Sequence, residues 1–332
     1  MVELSVPLVG LGIFQAVLYV FFIRAVDVYE RESLLYVIPV FVWGFTVAVF
    51  IALIFNELFR FTVGTVATDQ AASFLTAVAG APIIEECAKG LALALVFTVS
   101  YVMAHKRGAV EFSGVMDGIV YGSAVGFGFA IAEDLLYYVN TVNTGPETFL
   151  VRRIFGGFAH AAFTSLTGIG FGLIPWVRYK PLKVLLPLLG LSGAILLHAM
   201  FNFTATLLGP LVYLGLFAVT LLYVLLIISW LAAERRIIRR ELWEEVQNGT
   251  ISNEEYEILP TYFRRKGYYL RLISSGRITA WRRARKAHVM AVDLAFTKRL
   301  ARSARTTPQD SRATELRRQI LAARNSPASP VS

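Results

Sequence analysis

Residues 81–104 read APIIEECAKGLALALVFTVSYVMA, a run of hydrocarbon interrupted near its start by two adjacent glutamates and a lysine. A helix needs about 20 apolar residues to cross the core of a bilayer, and this stretch is long enough. Ionised groups at the centre of such a helix cost about 2.5–3.5 kcal/mol each on insertion scales, so they face a protein interior or a cavity. Glu85, Glu86 and Lys89 therefore predict a membrane span that carries polar chemistry. Pro82 suits the first turn, where its missing N–H leaves no bond unmade.

The rest of the chain agrees on the class. Of its 332 residues, 56% are hydrophobic and only 17% charged, with a mean hydropathy of +0.59. Soluble domains carry about a quarter charged residues, so the composition excludes an ordinary soluble enzyme and predicts an all-α polytopic membrane protein. Apolar runs at 4–23, 34–55, 82–104, 115–139, 154–176, 184–208 and 211–232 give about seven transmembrane helices. Phe61–Gly80 leaves room for an eighth, re-entrant or interfacial element. The first run is long enough to span and lacks a basic leader, so no cleaved signal is expected. The lone Cys87 excludes an intramolecular disulfide framework and reads as a small packing residue.

Charge divides the chain in two. Residues 234–332 hold 21 Lys and Arg against 10 Asp and Glu, whereas the residues before them hold 11 against 13. The domain reading is a transmembrane domain over 1–232, with its motif core at about 82–208, and a basic, partly helical tail over 233–332. Helices are expected at 233–247 and 279–304, with Ser252 or Asn253 capping the EEYE turn. The tail reads as a solvated juxtamembrane segment drawn to anionic inner-leaflet lipids; it has no nucleic-acid-binding motif. With the tail in the cytoplasm, Arg24, Arg31, Lys106, Arg107, Arg178, Lys180 and Lys183 fall inside, and only Arg60, Arg152 and Arg153 outside. The positive-inside rule then places the N-terminus outside and the chain in the cell membrane as a multi-pass protein.

Four successive spans carry polar groups: Glu85, Glu86 and Lys89; Glu133 and Asp134; His160; and His198 with Asn202. At 100° per residue, Gly118, Gly122, Gly126, Phe129 and Glu133 lie within an arc of about 80°, and small residues at this spacing let helices approach closely. Gly157, His160, Thr164 and Gly168 share a face, as do Ala194, His198, Asn202 and Ala205. Glu85 and Lys89 stand one turn apart, and Glu86 and Lys89 three residues apart, so a carboxylate can pair with the ammonium. Counted at 1.5 Å per residue, all of these groups lie within about 5–15 Å of the outer end of their spans. Such a blind pocket suits catalysis better than conduction. Asp117 reads as the cap of the fourth span, Asp134 as structural, His105 as an interfacial anchor and His288 as a surface residue.

The segments EECAK (85–89), DGIVYG (117–122) with GFGFAIAED (126–134), FAHAAFT (158–164) and HAMFN (198–202) resemble, in order and placement, the motifs of the PrsW family of intramembrane proteases. The resemblance covers about residues 34–208. A more distant similarity is to the CAAX prenyl endopeptidases, in which a histidine replaces Glu133; that departure argues against a prenylated substrate. The resemblance implies a peptidase that cleaves a membrane-tethered protein, in regulated proteolysis such as release of an anti-sigma factor. It implies Glu85 or Glu86 as the base that activates water, with Glu133, His160 and His198 completing the centre. Asn202 would be a carbonyl or oxyanion donor, and Lys89 would steady the glutamates, with Phe129 in support. Adjacent carboxylates in a low-dielectric pocket do not both ionise readily, which suits acid–base work. Two forms of the chemistry stay open: a divalent ion, Zn2+ by donor type, held among Glu86, Glu133, His160 and His198, or metal-free activation of water. The competing classes are a proton- or ion-coupled transporter using the same carboxylates, and an inactive membrane scaffold acting through its tail.

Overall fold

A computed structural model describes residues 2–107, 112–140, 156–304 and 307–325, and every regular element among them is helical. Arg152 and Arg153, the expected span start at 154–155, the side chains of His105, Lys106 and Arg107, and the terminal residues from Ser326 lie outside the described residues. Contacts sort the chain into two compact units. The first holds Met1–Asp27, Glu32–Ile174 and Tyr179–Ile227; the second holds Val28–Arg31, Pro175–Arg178 and Ile228–Ser332.

The first unit begins with α1 (Val2–Val26) and α2 (Leu34–Gly64), the latter opened by the Ser33 side chain accepting from the Leu35 N–H and widened into a π turn at Gly44–Ala48. A short α3 (Asp69–Leu75) follows, capped by Thr68, and a second π turn at Thr76–Gly80 leads into α4 (Ala81–Arg107). Then come α5 (Val115–Asn140), α6 (Gly157–Gly172), α7 (Lys180–Leu207) and α8 (Val212–Gln247). Helical segments at Leu34–Gly64, Val115–Leu136, Gly157–Trp176, Lys180–Leu207 and Gly209–Gln247 are long and apolar enough to cross a membrane. The protein is an all-α multi-pass membrane protein. The expected element near 61–80 is the end of α2 followed by the short α3.

The last span does not stop at 232. The sequence ERRIIRRELWEEV contains no helix breaker, so α8 continues to Gln247, and Gly249 at φ +74° ends it in the left-handed conformation that glycine adopts without strain.

The small residues of α5 decide the packing. A methyl group on Gly118 would strike the Gly168 carbonyl, one on Gly122 the backbone of Thr164 and Ser165, and one on Gly126 the His160 carbonyl. The glycine face of α5 thus lies against the backbone of α6, as its spacing predicts. The opposite side is equally close: Gly128 meets the Phe41 carbonyl, and Gly44 of the π turn meets the Val125 carbonyl. α5 is buried throughout Val115–Ala132. Cys87 departs from its sequence reading. It lies exposed on the outward stripe of Ile83, Leu91 and Leu95, because Glu86, Ala88 and Lys89 take the inward face.

The second unit is a folded body, where a solvated tail was expected. The end of α8 is followed by α9 (Asn253–Ile258), α10 (Tyr262–Ser274), α11 (Ile278–Ala304) and α12 (Thr307–Asn325). Ser252 caps α9 in a reciprocal capping box with Glu255. Ile238, Leu242, Leu259, Leu294, Ala295 and Ile320 form a fully buried core. His288 also departs from expectation: it is buried, with its Nδ1 2.9 Å from the Tyr269 hydroxyl.

Candidate active site

The polar cluster starts one turn into α4. Lys89 is wholly buried, and its Nζ donates to Glu86 Oε1 at 2.7 Å, lies 3.2 Å from His160 Nδ1, and sits 4.0 Å above the centre of the Phe129 ring. Burying an ammonium is tolerable only with such partners. Glu86 is equally enclosed. Its Oε1 also faces His198 Nδ1 at 3.0 Å, and its Oε2 accepts from the Thr164 hydroxyl at 3.0 Å. Because a carboxylate only accepts, His198 carries its hydrogen on Nδ1 in this arrangement. Its Nε2 then presents a lone pair.

Glu85 is less committed. Its Oε1 accepts from Asn56 at 3.4 Å, while its Oε2 is buried without a hydrogen-bond partner, 3.7 Å from Lys89 Nζ and 3.9 Å from His198 Nε2. His160 Nε2 lies 2.8 Å from Glu133 Oε2, and the Glu133 side chain is 38% exposed. The imidazole of His160 stands edge-on to that of His198 at 5.3 Å, and Phe163 stacks on His198 at 4.8 Å. Those contacts fix both ring planes.

Glu85, His160 and His198 each offer a ligand atom within 4.8 Å of the other two, and all three residues are buried. Two imidazoles and a carboxylate are a donor set suited to zinc. The unpartnered Glu85 Oε2 and the lone pair of His198 Nε2 supply the fit. Glu86 stands behind His198, in the place of a carboxylate that orients a ligating histidine.

The structure thus brings Glu85, Glu86, Lys89, Phe129, Glu133, His160 and His198 into one connected cluster. Within it the two histidines converge with Glu85, whereas the ligand set inferred from the sequence took Glu86 and Glu133. Asn202 donates to the Ala77 carbonyl in the second π turn at 2.9 Å. Thr164, Asn56 and Phe163 were not singled out as site residues. Thr164 had been placed on the His160 face, and Asn56 is a solitary amide in the apolar run IALIFNELF, a signal that could have been used.

A second buried polar group lies elsewhere in this unit. The Tyr121 hydroxyl donates to the Glu32 carboxylate, the Glu32 N–H donates to Asp27 Oδ2 at 2.7 Å, and the Ser113 N–H donates to Asp117 Oδ2 at 2.8 Å. Burial, then the nearby Asp117, holds Glu32 well above the usual carboxylate range. Asp117 is about 24 Å from Glu133 along α5 at 1.5 Å per residue. Polar groups are therefore not confined to the end of α5 that carries Glu133, because two residues of the α1–α2 connection fold onto its start.

The profile of the PrsW family intramembrane metalloproteases matches residues 32–231, which take in the whole cluster. The chain belongs to the PrsW family. A protein named Protease PrsW from Geobacillus kaustophilus is 30% identical over 165 residues, covering 50% of this chain and 65% of that protein. One from Clostridioides difficile is 28% identical over 222 residues, covering 66% and 85%, and one from Shouchella clausii 30% identical over 178 residues, covering 53% and 73%. No solved structure matches the chain. PrsW membership indicates a peptidase in a membrane setting with a protein substrate, and the PrsW match ends at residue 231, before most of the second unit.

Proposed function

We propose that this PrsW-family chain is an intramembrane endopeptidase that cleaves a membrane-tethered protein near the outer leaflet, with 1–232 as its protease domain. One observation carries the reading: the unpartnered Glu85 Oε2 stands beside His198 Nε2, with His160 in the same group. Glu85, His160 and His198 would hold a divalent ion, Zn2+ by donor type. Such an ion, when bound, acidifies a water in the pocket.

The remaining roles follow from hydrogen bonding. Glu133 is part-exposed and bonded to His160, so it can take the proton of the attacking water. The water oxygen adds to the scissile carbonyl, and the proton passes to the amide nitrogen as the C–N bond breaks. Glu86, Thr164 and Lys89 hold His198 and His160 in place and touch no reacting atom. Asn202, bonded to Ala77, fixes the end of α7 against the turn that precedes α4.

The N-terminus is proposed outside and the tail inside. Alternation of seven spans puts the connections at 28–31 and 175–178 on the side of the tail, and both belong to the second unit. The resemblance to PrsW proteases supports a signalling role, with a membrane-anchored anti-sigma-type substrate.

The test uses full-length wild type, Glu85→Gln and His198→Ala in detergent, with bound metal and cleavage of single-span substrates measured together. Loss of both metal and cleavage in the variants is expected. Cleavage that survives in both overturns the site, and full activity in metal-stripped wild type overturns the metal form.

A further inference from the structure

The second unit presents a face that its own core leaves uncovered and that lies beyond the PrsW match. Helix α10, YFRRKGYYLRLIS, is two-sided. Arg265 and Leu272 are buried on one side, where Arg265 donates to the Val28 carbonyl at 2.6 Å and its guanidinium lies 5.5 Å from the Tyr29 ring centre. The Tyr29 hydroxyl donates to the Pro260 carbonyl at 2.6 Å, tying down the start of the same helix.

On the other side Phe263 is 83% exposed, Leu270 64% and Ile273 40%. At 100° per residue these three lie within an arc of about 80°. Lys266 stands between them, Arg264 and Arg271 line the adjoining edge, and Arg277 and Ile278 continue past the turn at Gly276; all are exposed. Arg264 has an ion pair at 3.6 Å with the exposed Glu257, and Lys266 Nζ lies 5.6 Å from the Tyr262 ring centre; among the described residues no carboxylate pairs with Lys266, Arg271 or Arg277. Isolated apolar side chains on a surface are ordinary, but three in line, each beside a cation, are not.

Two observations select the occupant. Val28 follows the last residue of α1 by two positions and α2 begins at Leu34, so the loop that grips α10 leads within a few residues into a helix long and apolar enough to cross a membrane. So short a connection ties that loop to the end of a candidate span. The charge of the region, 21 Lys and Arg against 10 Asp and Glu over 234–332, then matches an anionic surface. Three apolar side chains are too few for a stable protein interface, which buries about 800 Å² per partner, whereas they suffice as shallow anchors for an amphipathic helix lying in a membrane interface.

We propose that the outward face of α10 docks on anionic lipid, with Phe263, Leu270 and Ile273 among the headgroups and Arg264, Lys266, Arg271 and Arg277 against their phosphates. The docking fixes the second unit to the membrane surface at a point separate from α8.

The experiment uses the full-length protein in a Cys87→Ala background, labelled with an environment-sensitive fluorophore at Leu270→Cys or, as control, at Gln319→Cys on α12. It is placed in nanodiscs of phosphatidylcholine alone or with about one third phosphatidylglycerol. In anionic discs the emission of the Leu270 label shifts to the blue and its quenching by acrylamide falls at least about threefold relative to the Gln319 label. High salt, at about 0.5 M, and the combined Arg264→Glu, Lys266→Glu and Arg271→Glu variant both reverse the shielding. Equal quenching of the two labels in anionic discs overturns the proposal. Shielding that persists in detergent or neutral discs also overturns it, because protein then covers the face. The comparison between lipids uses one labelled protein, so it stands whether or not the charge-reversed variant folds.

Discussion

Lys89 in the membrane unit and Lys298 in the C-terminal unit are both buried and both bonded to glutamates, yet their surroundings close differently. Lys298 Nζ donates to Glu245 Oε1 at 2.6 Å, Glu244 Oε2 at 2.9 Å and the Glu241 carbonyl at 2.8 Å, filling its three donor positions. Arg317 then clasps Glu245 through two bonds at 2.9 and 2.7 Å, and Arg302 faces Glu241 at 3.3 Å. Three cations meet three carboxylates; the Glu241 oxygens make no hydrogen bond but face the Arg302 guanidinium. On α4, by contrast, Glu85 and Glu86 share one lysine, and Glu85 Oε2 is left without a hydrogen bond beside an imidazole nitrogen. A balanced network is structural, because a buried charge must be matched for the fold to survive. The same apparatus with one ammonium for two carboxylates, and an imidazole nitrogen 3.9 Å from the less committed one, has capacity for a cation, which is the mark of a working site.

Breaking each network should therefore have a different consequence. Glu85→Gln is expected to lower cleavage by about 10³-fold or more while leaving thermal stability within about 1 kcal/mol of wild type; single-turnover cleavage and a melting curve measure the two together. If stability falls instead and activity survives in the folded fraction, α4 is merely a second version of the Lys298 network. Lys298→Met should do the reverse, destabilising the C-terminal unit by about 3 kcal/mol because it strands carboxylates in a buried place. Limited proteolysis of the full-length protein would show faster cutting within 250–320 and an intact membrane unit.

A pH series sharpens the contrast further. Burial holds His288 down at about 4, against 6.5 in the unfolded chain. Between these values the unfolded form binds the proton and the folded form does not, so the stability of this unit is full above pH 6.5 and falls as pH drops towards 4, by up to about 3 kcal/mol. His288→Phe should flatten that slope in denaturation curves; a slope left unchanged would assign the effect to other groups. The smallest effect is expected at Thr164. Thr164→Val removes one bond to Glu86 and should weaken metal affinity about tenfold, with Thr164→Ser restoring it. Equal affinity in all three would show that Glu86 is held well enough by Lys89 and His198.

Much of this architecture was legible in the chain. The apolar runs specify helices because a bilayer leaves backbone groups no other partner, and the glycine spacing of 118, 122 and 126 specifies the face of α5 that meets α6. The cluster membership of Glu85, Glu86, Lys89, Glu133, His160 and His198 followed from the cost of charge in hydrocarbon. What resisted reading has physical reasons too. The core of the C-terminal unit was hidden because α11 buries residues on nearly all sides, including His288 and Lys298, so no clean amphipathic stripe survives for a pattern to find. Cys87 was misplaced because an apolar run in a membrane does not separate a lipid-facing side from a packed one.

By itself, then, the sequence determined that the protein crosses a membrane, which helices carry charge, and which of their faces turn inward, since each follows from solvation and helical periodicity alone. The division of labour between neighbours was decided only by tertiary structure. Glu85 and Glu86 differ by 100° of helix rotation and by nothing in their chemistry. Thr164, His198 and Lys89, drawn from three helices, occupy the oxygens of Glu86, whereas Glu85 Oε2 is left without a hydrogen bond.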